Sequence, residues 1–373
     1  MRLRERLAIR PFLLSRGFSL FISQVLITAA YFLFASWLLR RWLRDGSECP
    51  GPLDPVTFFR PIKSSEPGLA HNLEVFLAGV EPDDRILLGA SGGAGHRLCE
   101  DLARRFPKLD IHCPLLEHGI CVNPKIGKLV QLAPLATHDR WIVLDSDAIA
   151  DGRFLRTFRR EWEESAAAAF SAPYVFKEGS SLPSRLDAAG TELALWPGVA
   201  VLRATGQMNF LTGGCLAVKG NVLRRLGGWK ILADALADDH ELGRAISRAG
   251  ERVGISRCVL TLAAPPVGTR DWLLHQHRAF VTFRLCNPAG CLGLPLTFGL
   301  AFSLFSALAK PLSLRQWLLH LLVLACRRSA ANALPGQQRS LPVIWLSGLV
   351  EPVFWLLAWL PLPVRWAGKW ITP

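Results

Sequence analysis

The chain has 373 residues, of which 50% are hydrophobic, and a formal net charge of +13. That length allows one catalytic domain with a full core plus membrane segments, and a mean hydropathy of +0.26 is high for a soluble protein. The basic residues crowd beside apolar runs, as cations that flank a bilayer do. They lack the interleaved aromatic platform of nucleic-acid binders, so we predict no nucleic-acid partner.

The nine cysteines contain no CxxC pair and match no zinc or disulfide spacing. We therefore predict scattered thiols without a structural disulfide.

The first element in chain order is an uncharged run from Phe18 to Leu39. As a helix it would rise about 33 Å, which is enough to span the hydrocarbon core of a bilayer. A cleaved signal peptide has a shorter apolar region and a small-residue cleavage site, and the sequence shows neither. We predict that residues 1–45 form an N-terminal tail and a membrane anchor helix.

The middle of the chain, residues 55–286, reads as a mixed α/β domain. Short apolar runs at Arg85–Gly89 and Arg140–Leu144 each follow a helix-like stretch. Such alternation is typical of a parallel sheet with crossover helices. Ligands of such sheets lie beyond the carboxyl ends of the strands, so we expect the acids that follow Leu144 to face a ligand.

Two carboxylates follow that strand, in Asp145-Ser146-Asp147. Carboxylates at i and i+2 suit a hard divalent cation, which also binds diphosphate oxygens. Acid-rich turns also end many strands without holding a metal, so the tripeptide by itself leaves both interpretations open.

A second acidic pair, Asp238-Asp239, begins a predicted helix that continues through Ile246. One of these aspartates could be the general base that deprotonates an attacking hydroxyl. The alternative is plain capping, because acids at a helix N-terminus are stabilised by the helix dipole.

A third cluster, His275-Gln276-His277-Arg278, precedes the C-terminal apolar region. A cation here could neutralise the charge that develops on a departing diphosphate, or it could grip lipid headgroups. Upstream, Thr212-Gly213-Gly214 precedes a predicted strand over Cys215–Lys219, and glycines there permit close backbone approach to a ligand, although a plain turn is the commoner use.

We predict that residues 287–373 form a C-terminal hydrophobic, transmembrane region. The run Leu285–Ala309 is uncharged, and Leu341–Val364 is long enough to span with one acid, Glu351. Between them, Gln316–Cys326 is too short alone unless its helix extends back past Arg315. Glu351 either lies near the interface or faces the helix bundle and pairs with a basic or polar group.

The order of these segments resembles the ceramide glucosyltransferase family, including the bacterial hopanoid-associated glycosyltransferases. The resemblance covers about residues 56–290, and the Asn-Pro-Lys match is the most specific. The matching segments are Phe59-Arg60-Pro61-Ile62-Lys63, Asn72-Leu73-Glu74, Val122-Asn123-Pro124-Lys125-Ile126, Pro173-Tyr174, Thr212-Gly213 and Gly227-Gly228-Trp229.

This resemblance implies a GT-A fold, a Rossmann-like nucleotide-diphospho-sugar transferase domain, and an inverting transfer. It implies that Asp239 is the catalytic base and that Arg278 stabilises the leaving group. Asp145 and Asp147 would hold a divalent cation, Mg²⁺ or Mn²⁺. The donor-binding residues implied are Pro61, Lys63, Lys125, Asp145, Gly213 and His275, the last in the glutamine position of a terminal Gln-x-x-Arg-Trp signature.

The sequence departs from the family pattern at two places. The strand over Ile86–Gly89 is followed by Ala90-Ser91-Gly92-Gly93 and no acid, where the family has an aspartate expected to contact the base of the nucleotide. Ala279 stands where the terminal signature has tryptophan. The departures leave altered specificity, weak activity or an inactive homologue open.

The resemblance implies a hexosyltransferase that moves a sugar from a nucleotide donor, UDP-glucose or a related one, to the hydroxyl of a ceramide-like, hopanoid or other membrane lipid. The alternatives are an impaired homologue that acts as a membrane scaffold and a processive polysaccharide synthase. Because nucleotide sugars are cytosolic, we predict a multi-pass protein, in a bacterial inner membrane, whose catalytic domain faces the cytoplasm. The arginines around the first helix favour the opposite orientation.

Overall fold

The computed structural model of the chain describes residues 2–43, 51–64, 66, 68–264, 268–309, 313–336, 338–366 and 368–372. Lys310 and Pro311, which end the uncharged run Leu285–Ala309, lie outside these residues.

Thirteen α-helices lie in the described residues. They are α1 (Arg2–Trp42), α2 (Leu69–Leu77), α3 (Gly93–Arg105), α4 (Pro124–Leu132), α5 (Gly152–Ser165), α6 (Leu182–Ala204), α7 (Gly220–Arg225), α8 (Asp238–Arg248), α9 (Thr269–Cys286), α10 (Pro288–Gly293), α11 (Gly299–Ala309), α12 (Leu314–Ala331) and α13 (Leu341–Leu357). Short 3-10 helices cover Ala133–Leu135, Gly228–Leu232 and Leu294–Thr297.

The strands of the described residues form three sheets. They are β1 (Thr57–Pro61), β2 (Arg85–Gly89), β3 (Asp110–His112), β4 (Arg140–Leu144), β5 (Ala148–Ile149), β6 (Ala169–Ser171), β7 (Tyr174–Phe176), β8 (Cys215–Lys219), β9 (Val253–Ile255), β10 (Leu260–Leu262), β11 (Val364–Trp366) and β12 (Lys369–Ile371).

The main sheet has seven strands in the order β3-β2-β1-β4-β8-β6-β9. Its first four strands are mutually parallel, and β8 runs antiparallel to β4 and to β6. Two hydrophobic cores cover its faces, one around Phe58, Ile86 and Ile142, the other around Phe59, Leu87 and Val143. The predicted α/β architecture with a mainly parallel sheet is confirmed, because both faces of each central strand are apolar and need a covering layer.

A small second sheet, β5-β10-β7, lies next to the carboxyl end of β4. Strand β5 begins directly after Asp147, and β10 pairs with it in antiparallel fashion and with β7 in parallel fashion. This sheet therefore gives the acidic turn after β4 a rigid support.

Helices from both ends of the chain pack together against α6. Helix α1 contacts α6, α11 and α12, while α13 contacts α6 and α9. Their buried side chains form mixed clusters, such as Phe32 of α1 with Leu193 of α6 and Ile344 of α13. Helices α6 and α9 belong to the predicted central domain, so they join the α/β domain to the terminal helices.

The apolar segments form helices of different lengths. Ile22–Trp42 is long and apolar enough to cross a membrane. The run predicted over Leu285–Ala309 is divided by a bend of 47° between Pro288–Thr297 and Gly299–Ser306. The helix predicted to extend from Leu341 to Val364 ends at Leu357, because the chain turns there into the β11–β12 hairpin. One helix of spanning length, or two if the bent pair is one span, is present in the described residues.

The middle segment extends back past Arg315, since α12 begins at Leu314. On this helix Arg327 forms a bidentate ion pair with Glu351 of α13, with N–O distances of 3.0 and 2.5 Å. The side chains are 1% and 7% exposed, and the guanidinium also lies 4.9 Å from the ring centroid of Phe32. Glu351 therefore faces the helix bundle, as the second of the two interpretations predicted.

We expect Glu351→Gln and Arg327→Met each to destabilise the protein, because each leaves the opposite charge buried without its partner, at a cost of about 3–5 kcal/mol. The double variant Arg327→Met/Glu351→Leu should recover most of that loss. Thermal unfolding of the purified full chain in detergent measures the effect.

The matched control is Arg365→Met, because Arg365 is exposed on β11. A double variant whose midpoint falls by the sum of the two single losses would contradict the assignment.

Candidate active site

The acidic turn after β4 is held in place by backbone contacts. The Asp145 amide donates to the Gly214 carbonyl at 2.9 Å, and the Gly214 amide donates to Asp145 Oδ2 at 3.3 Å. The carbonyl of Asp147 accepts from the Ala263 amide at 2.8 Å. Gly214 has φ +86° and packs between leucine side chains of β10, so only glycine makes this turn without strain.

The second acidic pair is brought to the same place by close packing of α8. A Cβ on Gly243 of that helix would lie 2.4 Å from the Leu211 amide nitrogen, so the two backbones touch. One turn earlier, Asp239 Oδ2 lies 3.2 Å from the Cβ position of Gly213. Asp145 and Asp239 lie far apart in the sequence. In the structure they flank the same turn at Gly213-Gly214.

The Asn-Pro-Lys segment joins the two acidic pairs. Asn123 caps α4, since its Oδ1 accepts from the amides of Lys125 and Ile126, and its Nδ2 donates to Asp238 Oδ1 at 3.4 Å. Lys125 Nζ then lies 2.8 Å from Asp145 Oδ1 and 3.0 Å from Asp238 Oδ2. One ammonium thus bridges the carboxylates that follow β4 and those that begin α8.

We call Asp145, Asp147, Asp238 and Asp239 the acid cluster. Burial, and next the charge of Asp145, raises the pKa of Asp147 to about 7. Burial, and next the charge of Asp238, raises the pKa of Asp239 to about 7 as well. Burial alone would lower the pKa of Lys125, but Asp145 and Asp238 raise it above its usual value. The lysine therefore stays charged and offsets part of the repulsion among the acids.

A buried arginine, Arg60, lies close to the acidic turn after β4. Arg60 of β1 is 0% exposed, donates one bond of 3.4 Å to the Ala148 carbonyl, and lies 5.0 Å from the ring centroid of Phe76. Burial lowers its pKa to about 10, and the charges of Asp147 and Asp145 oppose that shift. Arg60 thus supplies a second positive charge close to the acid cluster.

The donor set of the acid cluster suits a hard divalent cation. Asp145 and Asp147 offer carboxylate oxygens, and Mg²⁺ or Mn²⁺ commonly takes one or two carboxylates together with substrate phosphates and water. Within the described parts of the chain, no three acidic, histidine or cysteine side chains converge on one point as a complete metal cage. Two carboxylates therefore suit a metal whose other ligands are diphosphate oxygens and water and that arrives with a nucleotide.

The predicted cationic cluster on α9 has a partner that the sequence did not reveal. Asp187 of α6, 4% exposed, accepts from Gln276 Nε2 at 2.8 Å and lies 2.7 Å from His275 Nδ1. Burial lowers the pKa of half-buried Arg278, and the charge of Asp187 opposes that shift. Asp187 thus fixes the orientation of the helix segment that carries His275 and Arg278.

The structure brings together part of the predicted set. Lys125, Asp145, Asp147, Gly213 and Asp239 converge on the turn at Gly213-Gly214. Among the described residues, His275 and Arg278 make no hydrogen bond to that group and lie with Asp187 instead.

The remaining donor residues lie at the end of β1. Pro61 is the last residue of that strand, and Lys63 is exposed and pairs with Glu66 at 3.1 Å. Sequence reasoning missed Asp187 and the role of Asp238 as a partner of Lys125. Asp187 is a single acid inside a helix, with no motif around it, so the sequence gives no sign of its role. The pairing of Lys125 with Asp238 depends on the tertiary structure, because the two residues are far apart in the sequence.

The sequence model of glycosyl transferase family 21 matches residues 20–372. The chain therefore belongs to glycosyl transferase family 21, the ceramide glucosyltransferase family, and the predicted resemblance is confirmed. It is a glycosyltransferase that uses nucleotide sugars.

The fold is shared with a solved glycosyltransferase. The mannosyltransferase PcManGT from Pyrobaculum calidifontis, in complex with GDP-Man and Mn²⁺, superposes with a TM-score of 0.50 at 17% identity. The alignment covers 91% of this chain and 97% of that one.

We expect transfer activity to rise with pH through about 7, because Asp239 is protonated below that pKa and a protonated base accepts no proton. Asp238→Asn removes the negative charge that, after burial, raises this pKa most, so the acidic limb of the profile should move to lower pH. Initial rates between pH 5.5 and 8.5 measure the shift.

Asp234→Asn, at an exposed acid in the preceding loop, is the control. An acidic limb at the same pH in Asp238→Asn and the parent protein would exclude Asp239 as the titrating group.

Proposed function

We propose that the protein transfers a hexose from a nucleoside diphosphate sugar, UDP-glucose or a related donor, to the hydroxyl group of a membrane lipid, with inversion at the anomeric carbon. The observation that carries the proposal is the position of Asp239. It is half-buried beside Gly213, and the turn at Gly213-Gly214 joins it to the carboxylates that follow β4.

In this proposal Asp239 accepts the proton of the acceptor hydroxyl while that oxygen attacks the anomeric carbon. The pKa of about 7 suits the task, because a general base works best when its pKa lies near the working pH. The nucleoside diphosphate leaves from the opposite face, and a single displacement inverts the configuration.

Two positive side chains, one within the acid cluster and one on α9 beside Asp187, would receive the diphosphate. Lys125, which bridges Asp145 and Asp238, and Arg278, which lies half-buried on α9, are the side chains proposed for that role. A divalent cation held by Asp145 and Asp147 would neutralise the charge that develops on the leaving oxygen. His275, Pro61, Lys63 and Gly213 complete the proposed donor site.

The apolar surface of the terminal helices supports a lipid acceptor. Large exposed hydrophobic side chains, in numbers that a soluble protein rarely shows, lie on α1, α11, α12 and α13. They include Leu33, Phe34, Trp37, Phe302, Phe305, Trp317, Leu318, Leu321, Val353 and Leu356. In this proposal the helices anchor the protein as a multi-pass membrane protein, and the GT-A domain lies on the cytoplasmic face of the bilayer. The donor then binds from water, and the acceptor comes from the membrane.

The test is incubation of membranes that contain the protein with labelled nucleotide sugars and a total lipid extract. We expect one labelled glycolipid whose anomeric configuration, read by NMR, is opposite to that of the donor. Asp239→Asn should lower transfer by about 10²-fold or more while nucleotide binding persists. Asp83→Asn, at an exposed acid, should leave the rate unchanged.

Retained configuration would contradict the single displacement, and label in a polymer would favour the processive synthase. Nucleotide binding without transfer to any lipid would favour the scaffold.

We expect transfer to require Mg²⁺ or Mn²⁺ and Asp147→Ala to weaken metal-dependent donor binding by about tenfold or more, because the pair of carboxylates supplies the protein's oxygen ligands. Calorimetry with nucleoside diphosphate, with and without metal, measures the coupling. Full activity in excess chelator would exclude the metal assignment.

A further inference from the structure

A cavity of about 250 Å³ opens at the carboxyl edge of the parallel sheet. Ile62, directly after β1, and Ser91, just after β2, form one side of it, and Pro124 at the start of α4 forms another. The next residue along the chain, Lys125, reaches Asp145. The cavity is smaller than the roughly 300–1,000 Å³ of sites for whole drug-sized ligands, so it suits one part of a nucleotide sugar, next to the acid cluster.

The strand edge places a glutamate in this cavity. Leu115 bridges to Ala90, and the Leu116 amide donates to the Ala90 carbonyl at 3.2 Å, which continues the β2 edge by one more residue. Glu117 therefore lines the same cavity as Ser91. An acid that the sequence lacks directly after β2 is thus supplied by the neighbouring segment.

The backbone of Glu117 is fixed, whereas its carboxylate is not engaged. The Glu117 amide donates to Gln131 Oε1 at 2.8 Å, and Gln131 Nε2 donates back to the Glu117 carbonyl at 3.1 Å. Among the described residues, the Glu117 side chain makes no ion pair or hydrogen bond.

The lysines of the lining are occupied. Lys128 Nζ donates to the Ile62 carbonyl at 2.5 Å, and Lys63 pairs with Glu66. The Glu117 side chain is exposed and makes no ion pair with either lysine, so its carboxylate is available to a ligand that brings N–H donors.

We propose that the nucleobase of the donor binds in this cavity and that the Glu117 carboxylate accepts a hydrogen bond from a ring N–H of the base. The inference rests on the proposed function and adds which residue selects the base. Uracil and guanine carry such a ring N–H, whereas the corresponding ring nitrogens of cytosine and adenine are acceptors that a carboxylate repels. Glu117 therefore selects UDP- or GDP-linked donors against CDP- and ADP-linked ones.

The cavity contains its own reporter. Cys121 lines it and is half-buried, so a bound base should shield its thiol from alkylation. Mass spectrometry after iodoacetamide treatment of the full chain in detergent measures labelling at this residue separately from the other cysteines.

The experiment combines calorimetry and Cys121 labelling with UDP, GDP, CDP and ADP in the presence of Mg²⁺. We expect UDP or GDP to bind at least tenfold more tightly than CDP and ADP, and to protect Cys121. Glu117→Gln should weaken the preferred nucleotide about tenfold, as loss of a charge-assisted hydrogen bond does, and narrow the preference to about threefold or less. Glu164→Gln, at an exposed glutamate of α5, should match the parent protein.

The outcomes separate the two levels of the proposal. If Glu117→Gln changes the affinity for the nucleotide by less than twofold, the assignment of the base pocket is wrong. It is also wrong if a tightly bound nucleotide leaves Cys121 fully reactive. In both cases the transferase proposal stands. No binding of any nucleoside diphosphate to the parent protein overturns both. An unchanged thermal midpoint in Glu117→Gln shows that the variant is folded.

Discussion

The bridge from Lys125 to Asp145 and Asp238 is the contact on which the arrangement of the acid cluster depends. Four carboxylates from two distant segments meet in a partly buried space, and their mutual repulsion would push them apart or protonate them. The Lys125 ammonium between them offsets part of this repulsion. Asn123 caps α4 and so fixes the position of Lys125 at the start of that helix. Burial, and after it the charge of a neighbouring aspartate, still raises the pKa of Asp147 and of Asp239 to about 7. A cluster balanced in this way is ready to accept further positive charge, which a metal with its diphosphate ligand would bring.

Buried ion pairs also join the helices of the terminal layer, in addition to their apolar clusters. Glu192 of α6 pairs with Arg339 at 2.6 Å, just as Glu351 pairs with Arg327, and each partner is almost fully buried. The Glu192–Arg339 pair joins segments that are far apart in the chain, and loss of either partner in either pair would leave an uncompensated buried charge. Through Asp187, the same helix α6 also holds His275 and Gln276 of α9. Helix α6 therefore contacts both the terminal helical segments, through Glu192, and the cationic cluster of α9, through Asp187.

The departures from the family pattern acquire a structural context. The chain after β2 has glycines and Ser91 in place of an acid, but the segment that extends that strand edge brings Glu117 to the same cavity. The glutamine displaced by one position, Gln276, turns inward to Asp187, while His275 at the expected position is partly exposed beside it. A position-by-position comparison with the family motifs finds neither residue, because Glu117 is a neighbour only in space and Gln276 lies one position away from the motif position.

The sequence by itself determined three strands of the main sheet and the positions of the acids. Short apolar runs predicted β2 and β4, the segment after Gly213-Gly214 was predicted as β8, and the start of α8 at Asp238 followed from its acidic first turn. These features are local, since strand and helix signals depend on residues only a few positions apart. Only the tertiary structure decided the partners. The pairing of Glu351 with Arg327, the bend that divides the uncharged run after Cys286, and the bridge by Lys125 all depend on which helix packs against which. Burial of a charge is set by the whole fold, so its partner is chosen by three-dimensional proximity and leaves no periodic trace in the chain.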